Sequence, residues 1–168
     1  MTRFEHAVVT GGSSGIGLAI VRRLAERGTR VSVIGLDDEY MEALRNERLP
    51  RVTTAVADVG DRPALEAAVE AFTTMHGPID LLVTCAGVVL PGYFHELPDD
   101  EFERDMKVNY LGTVHTIRAV VPGMMERRQG SIACISSTAG LIGVFGYTAY
   151  GPSKYAAVSY THLRAHET

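Results

Sequence analysis

The stretch TGGSSGIG, residues 10–17, decides how this chain is read. It follows HAVVT (6–10), a short valine-rich run. It precedes residues 16–27, where Ile16, Ala19, Ile20 and Leu24, with Val21 beside them, recur at helical spacing. Gly11, Gly15 and Gly17 stand as GxxxGxG. A tight strand-to-helix turn that lets backbone approach an anion and aims a helix N-terminus at it needs glycine at such points. Ser13 and Ser14 add hydroxyl donors. A glycine-rich turn alone is a weak signal, but between a first strand and a first helix it points to the pyrophosphate of a dinucleotide.

Outward from that loop, strands and helices alternate. VSVIG (31–35) reads as a second strand, and DDEYMEALRNE opens a helix with acids in its first turn. RVTTAVADV (51–59) reads as a third strand, and Asp61-Arg62-Pro63 starts a helix running to about His76. Gly77-Pro78 breaks it. IDLLVTCAG (79–87) is an almost continuous apolar run of the kind buried on both faces of a parallel sheet. Residues 99–128 are helical in pattern, with a disturbance expected at Pro122-Gly123; SIACISS (131–137) is a fifth strand, and a last helix begins near Tyr150. Alternation at this spacing predicts α/β architecture, a Rossmann-type doubly wound parallel sheet in one domain without internal linkers.

Bulk composition narrows the function. The 168 residues are 46% hydrophobic and 21% charged, with a net charge of −4. That balance argues against nucleic acid as a partner, since phosphate contacts need a basic surface. No run approaches the roughly 20 apolar residues of a membrane span. MTRFEHAVVT passes almost directly into a strand, so no signal peptide and a cytoplasmic location are expected. Cys85 and Cys134 lie in apolar runs and are expected to be small buried hydrophobes. The histidines show no metal-ligand spacing, so no metal is expected.

Lysine is scarce, occurring only at Lys107 and Lys154, and asparagine occurs only at Asn46 and Asn109. Tyr150 and Lys154 stand four apart, on one face of the last helix. A phenol titrates near pH 10, but an adjacent ammonium favours the phenolate and brings it toward the range useful for proton transfer.

TGGSSGIG resembles the glycine signature of the short-chain dehydrogenase/reductase superfamily, and the resemblance runs from residue 6 to about 157. Asp58-Val59 is similar to the family's adenine-contacting position, Cys85-Ala86-Gly87 to the second half of its Asn-Asn-Ala-Gly turn, and Asn109 to the Asn of its central helix. Ser137 and Tyr150-x-x-x-Lys154 match its catalytic Ser and Tyr/Lys pair.

The resemblance implies an NAD(P)(H)-dependent interconversion of ketone and secondary alcohol. In it Tyr150 exchanges the proton, Lys154 holds the nicotinamide ribose and tunes Tyr150, Ser137 binds the substrate oxygen, and Asn109 places a relay water. It further implies cofactor contacts from Gly11, Ser13, Ser14, Gly15, Ile16, Gly17, Asp58, Val59, Ala86, Gly87, Tyr150 and Lys154. A homodimer or homotetramer goes with it. A non-catalytic cofactor-binding sensor, or an inactive fragment, is the alternative.

Two departures stand out. The Asn-Asn-Ala-Gly turn reads Thr84-Cys85-Ala86-Gly87, so both amides are gone and Thr84 is the candidate to replace one hydrogen bond. At the end of the second strand the family's acid and Arg positions hold Gly35 and Leu36, and Asp37 and Asp38 follow. Asp37 is a candidate for the cofactor ribose, and the preference between NAD and NADP stays open. The loops VVLPGYFHELP and TAGLIGVFGYTA are apolar and aromatic, so Leu141, Ile142, Val144, Phe145 and Tyr147 are expected to floor a pocket for an apolar substrate. The run from CAG through GPSKYA is most similar to the 3-ketodihydrosphingosine reductases, which implies a long-chain ketone and NADPH. VSYTHLRAHET, residues 158–168, agrees with a translated sequencing adapter. The expectation is therefore a truncated NAD(P)-binding domain over residues 1–157, with about five of the family's usual seven strands.

Overall fold

In the computed structural model of the chain, residues 4–158 are described. Five strands form where aliphatic and β-branched residues run unbroken: β1 (His6–Thr10), β2 (Arg30–Gly35), β3 (Val52–Val56), β4 (Leu81–Thr84) and β5 (Ser131–Cys134). Between and after them lie α1 (Gly15–Glu26), α2 (Glu39–Glu47), α3 (Arg62–His76), α4 (Asp99–Asp105), α5 (Gly112–Arg127) and α6 (Tyr150–Val158). The strands are all parallel, in the order β3-β2-β1-β4-β5. The expected doubly wound α/β sheet is therefore present. β1 lies in the middle and is buried along its whole length, so it shows no polar alternation.

Successive residues on each strand serve opposite faces of the sheet. Val8, Ile34 and Leu82 pack with Leu65, Val69 and Phe72 of α3 and with Val120 and Met124 of α5. Val9, Val33 and Val83 pack on the other side with Val21 of α1 and with Met41 and Leu44 of α2. Each fully buried Val, Leu or Ile stabilises the fold by about 1.5–3 kcal/mol. Both layers thus hold the C-terminal ends of β1, β2 and β4 rigid.

The elements differ from the sequence reading in several particulars. β3, β4 and β5 end at Val56, Thr84 and Cys134, earlier than the apolar pattern suggests, and the chain after β3 and after β4 turns to line a cleft. α1 turns Gly17, Val21 and Ala25 inward and leaves Ile16 63% exposed. The inward face starts at Gly17 because that residue presses on the glycine loop. Pro122 does not interrupt α5: Val120 and Met124, on either side of it, hold the helix to the sheet across the missing hydrogen bond. A π-helical segment, Met106–Leu111, joins α4 to α5. Cys85 and Cys134 are half-buried rather than core residues, since each sits at the sheet's open C-terminal end. The outer edge of β5 has no strand partner among the described residues, and Ile132 there is 41% exposed. Of the expected tail, Val158 ends α6, and 159–168 lie outside the described residues.

Candidate active site

From β1 the chain fills one side of the sheet with β2 and β3, then crosses to the other side with β4 and β5. At such a reversal, loops from the two halves diverge and leave a crevice at the strands' C-terminal ends. A cleft of about 750 Å³ lies there. Gly11, Ser13 and Ser14 line it from the β1–α1 loop, Gly35, Leu36 and Asp38 from the end of β2, and Asp58 and Val59 from the end of β3. Ala86 and Gly87 line it after β4, and Arg104 and Lys107 face it from α4 and the π segment.

The glycine loop is shaped by close backbone contact. Gly11 has φ +65°, and a side chain on it would put Cβ 2.6 Å from the Cα of Ala86. A side chain on Gly17 would collide with the Gly11 carbonyl oxygen. Both positions therefore exclude every other residue without a backbone shift. Ser14 is the N-cap of α1, yet its hydroxyl makes no cap hydrogen bond and stays exposed in the cleft. Open hydroxyls and a helix N-terminus at a glycine turn suit an anionic pyrophosphate. Asp58 is exposed at the cleft; its carboxylate accepts the Gly60 N–H at 2.8 Å, which fixes its orientation. Asp37 points outward instead, 3.5 Å from the Arg45 guanidinium. Asp38 faces the cleft while its carboxylate caps α2 through the Met41 N–H at 2.9 Å.

The turn after β4 is braced from β1. The Thr10 hydroxyl oxygen accepts the N–H groups of Cys85 at 3.3 Å and Ala86 at 3.4 Å. Thr84 does not take over an amide's role: its hydroxyl is buried and has no partner, because the residue faces into the sheet's packing.

Asn109, Ser137, Tyr150 and Lys154 come from the π segment, the turn after β5 and α6. Asn109 is 1% exposed. Its side-chain carbonyl accepts the Val88 N–H, and its amide donates to the Val88 carbonyl and to the Ser153 hydroxyl, each at 2.9 Å. Ser153 in turn donates to the Tyr150 carbonyl at 2.7 Å. The π segment, α6 and the loop after Gly87 are thereby tied into one seam. Insertions of this helical type commonly mark functional positions.

Lys154 is buried and donates to the Ile135 carbonyl at 3.4 Å, and its ammonium lies 5.7 Å from the centre of the Tyr150 ring. A side chain on Gly87, in the cleft wall, would come within 3.4 Å of that ammonium and 3.0 Å of the Asn109 side-chain oxygen. The Ser137 hydroxyl accepts the Ala139 N–H at 3.2 Å, capping a one-turn 3-10 helix, Thr138–Gly140.

Electrostatics follow burial. Desolvation pulls the Lys154 ammonium below the ordinary lysine value, and the charges of Cys85 and Asp105 oppose it. Burial pushes the Cys85 thiol up, against the pull of Lys154 and the Gly17 N–H.

The two apolar loops meet through a Gly92–Tyr147 bridge and a Gly92 N–H bond to Gly146. Tyr93 packs edge-on against Phe145, and Tyr147 against Tyr150. They do not floor a closed pocket. Leu141, Ile142 and Phe145 are 65%, 62% and 86% exposed, while Val144 and Tyr147 are half-buried. Sequence reading passed over Thr10, Asp105 and Ser153, whose roles depend on partners far along the chain. Ser153, just before Lys154, carried the nearest thing to a local signal.

This chain belongs to the short chain dehydrogenase family, whose pattern it matches over residues 5–168. It is 40% identical over 159 residues to 3-dehydrosphinganine reductase of Danio rerio and 39% identical to 3-ketodihydrosphingosine reductase of Bos taurus, covering 90% of this chain and 48% of each relative. It is 36% identical to 2,3-dihydro-2,3-dihydroxybenzoate dehydrogenase of Bacillus subtilis, covering 92% of this chain and 60% of that protein. Among solved structures, a variant of actinorhodin polyketide ketoreductase with NADPH superposes with a TM-score of 0.86 at 36% identity, covering 94% of this chain and 62% of that one. The chain thus spans about half the length of the two sphinganine-type reductases. Family and fold together support NAD(P)(H) as the cofactor, with the choice between the two forms open.

Proposed function

We propose that the chain is the cofactor-binding and catalytic part of an NAD(P)(H)-dependent oxidoreductase that interconverts an apolar ketone and its secondary alcohol. One observation carries the reading: the buried Lys154 ammonium sits beside the Tyr150 ring and against Gly87 of the cleft wall. NAD(P)(H), when bound, supplies or takes up the hydride. Ser13, Ser14 and the α1 N-terminus would hold its pyrophosphate, Asp58 and Val59 its adenine, and Lys154 its nicotinamide ribose. Tyr150 gives a proton to the carbonyl oxygen in reduction and takes it back in oxidation. Ser137 orients the substrate oxygen through its hydroxyl. Asn109 holds α6 in register through Ser153, so that Tyr150 and Lys154 keep their spacing. The exposed Leu141, Ile142 and Phe145 offer an apolar surface on the loop that leads into α6 at Tyr150, which favours a hydrophobic substrate. The reductases of 3-ketodihydrosphingosine among its relatives fit that choice.

The test pairs NADH and NADPH binding with turnover on a panel of apolar ketones and alcohols, for the chain and for Tyr150→Phe. Cofactor binding kept and turnover abolished in Y150F is the expected result. Turnover that survives the substitution refutes the role of Tyr150. Cofactor binding without turnover on any substrate favours a non-catalytic sensor.

A further inference from the structure

Asp105, the last residue of α4, is 1% exposed, and neither of its carboxylate oxygens has a hydrogen-bond partner. A buried carboxyl without partners is expensive, and a fold retains one where another charge compensates it. Four residues before Asn109, it lies at the start of the π segment, and both α4 and that segment pack against α6. On α6 the opposite situation occurs: the Lys154 ammonium is buried with a backbone carbonyl and an aromatic ring for company, and forms no salt bridge among the described residues. Two buried ionisable groups of opposite sign, each without an ion pair, therefore share one helix seam.

We propose that Asp105 is a positioning residue for the Tyr150–Lys154 pair, its buried carboxylate the counter-charge that holds Lys154 as an ammonium. This rests on the oxidoreductase reading for its purpose, though not for its electrostatics. The other charged groups acting on Asp105 are Glu101 and Arg104 of its own helix, and Lys154 is the one from the facing helix. Lys154 itself also faces Cys85, whose thiol is pushed up by burial, toward the neutral form. Burial first, then Glu101, push the Asp105 carboxyl up, and Arg104 and Lys154 draw it down. Glu101 and Arg104 are themselves bonded to each other at 3.1 Å, which leaves Lys154 as the cation without a carboxylate of its own. Asp105 acts through Lys154 and touches no reacting atom.

With only Lys107 and Lys154 in the chain, side-chain titration by NMR on isotopically labelled lysine resolves each one. In Asp105→Asn and Asp105→Leu the Lys154 midpoint should fall by at least about half a pH unit, the direction set by loss of a nearby opposite charge. Lys107, exposed toward the cleft, should stay in place. Both variants remove a buried carboxyl that has no hydrogen-bond partner but strip the buried Lys154 of its counter-charge, so neither should have a urea midpoint above the parent's. An unmoved Lys154 midpoint, an equal shift of both lysines, or a urea midpoint above the parent's in both variants would each overturn the proposal. The titration needs no turnover, so it separates the two readings. A Lys154 shift in a chain with no turnover upholds the counter-charge and removes the oxidoreductase; Tyr150-dependent turnover with an unmoved Lys154 does the reverse. Where turnover is measured, the pH profile of kcat should move with Lys154, which a merely structural role for Asp105 would leave unchanged.

Discussion

Asn109→Ala offers the sharpest test of how the site is held. Asn109 makes three hydrogen bonds of 2.9 Å, two to Val88 and one to Ser153, in a place where its own side chain is 1% exposed. A net hydrogen bond is worth about 1 kcal/mol, and a partner left unsatisfied in the interior adds a desolvation cost. Ser153 still donates to the Tyr150 carbonyl, and half-buried Val88 gains some water, so the added cost is partial. The loss works out at about 3–4 kcal/mol. Urea unfolding of parent and variant, with equal slopes, reads it directly. Ser153→Ala breaks one of the three bonds and also the Ser153 bond to the Tyr150 carbonyl, and should cost about 2 kcal/mol. A loss below about 1 kcal/mol in Asn109→Ala would show that the amide does not brace the seam, and the reasoning that ties the π segment to α6 would fall with it.

Two further outcomes come from groups outside the chemistry. Thr84→Val replaces a buried hydroxyl that has no partner with a methyl of the same shape, so stability should stay within about 0.5 kcal/mol or rise, as urea midpoints will show. His6, 1% exposed, bonds through its ring to the Gly77 carbonyl and the Ser32 hydroxyl, each at 2.9 Å; burial, with help from His76 and Arg30, keeps its pKa below 6.5 against Gly77 and Asp80. Folding therefore favours the neutral ring. Its stability contribution is present above the unfolded value of 6.5 and is lost as pH falls below it toward the folded value. Stability measured from about pH 7.5 down to about pH 5.5 should decline, and His6→Gln should flatten that part of the curve.

Much of the architecture was legible in the residues because its signals are local. HAVVT followed by TGGSSGIG announces a buried strand, a tight turn and a helix start within a dozen positions. Four of the five strands begin within two residues of the expected start, and β5 begins at the expected Ser131. Their ends were misjudged, since an apolar residue looks the same inside the ladder and just past it. The glycines of the loop, Tyr150 and Lys154 could be picked out because spacing alone brings them to one turn or one helix face. Asp37 and Asp38 could not be told apart that way: which of two adjacent acids caps α2 and which faces Arg45 depends on where the backbone turns.

The sequence by itself determined the strand–helix alternation, the glycine turn and the Tyr/Lys face, because backbone preference and hydrophobic period act over a few residues. Tertiary structure alone decided that the Asn109 amide is bonded to Val88 and Ser153, that Thr84 is silent while Thr10 holds the turn, and that Asp105 is buried without a hydrogen-bond partner. Burial and desolvation are sums over atoms brought together from distant segments. Residue 109 meets 88 and 153, and residue 10 meets 85 and 86, only once the sheet and its two helical layers have closed.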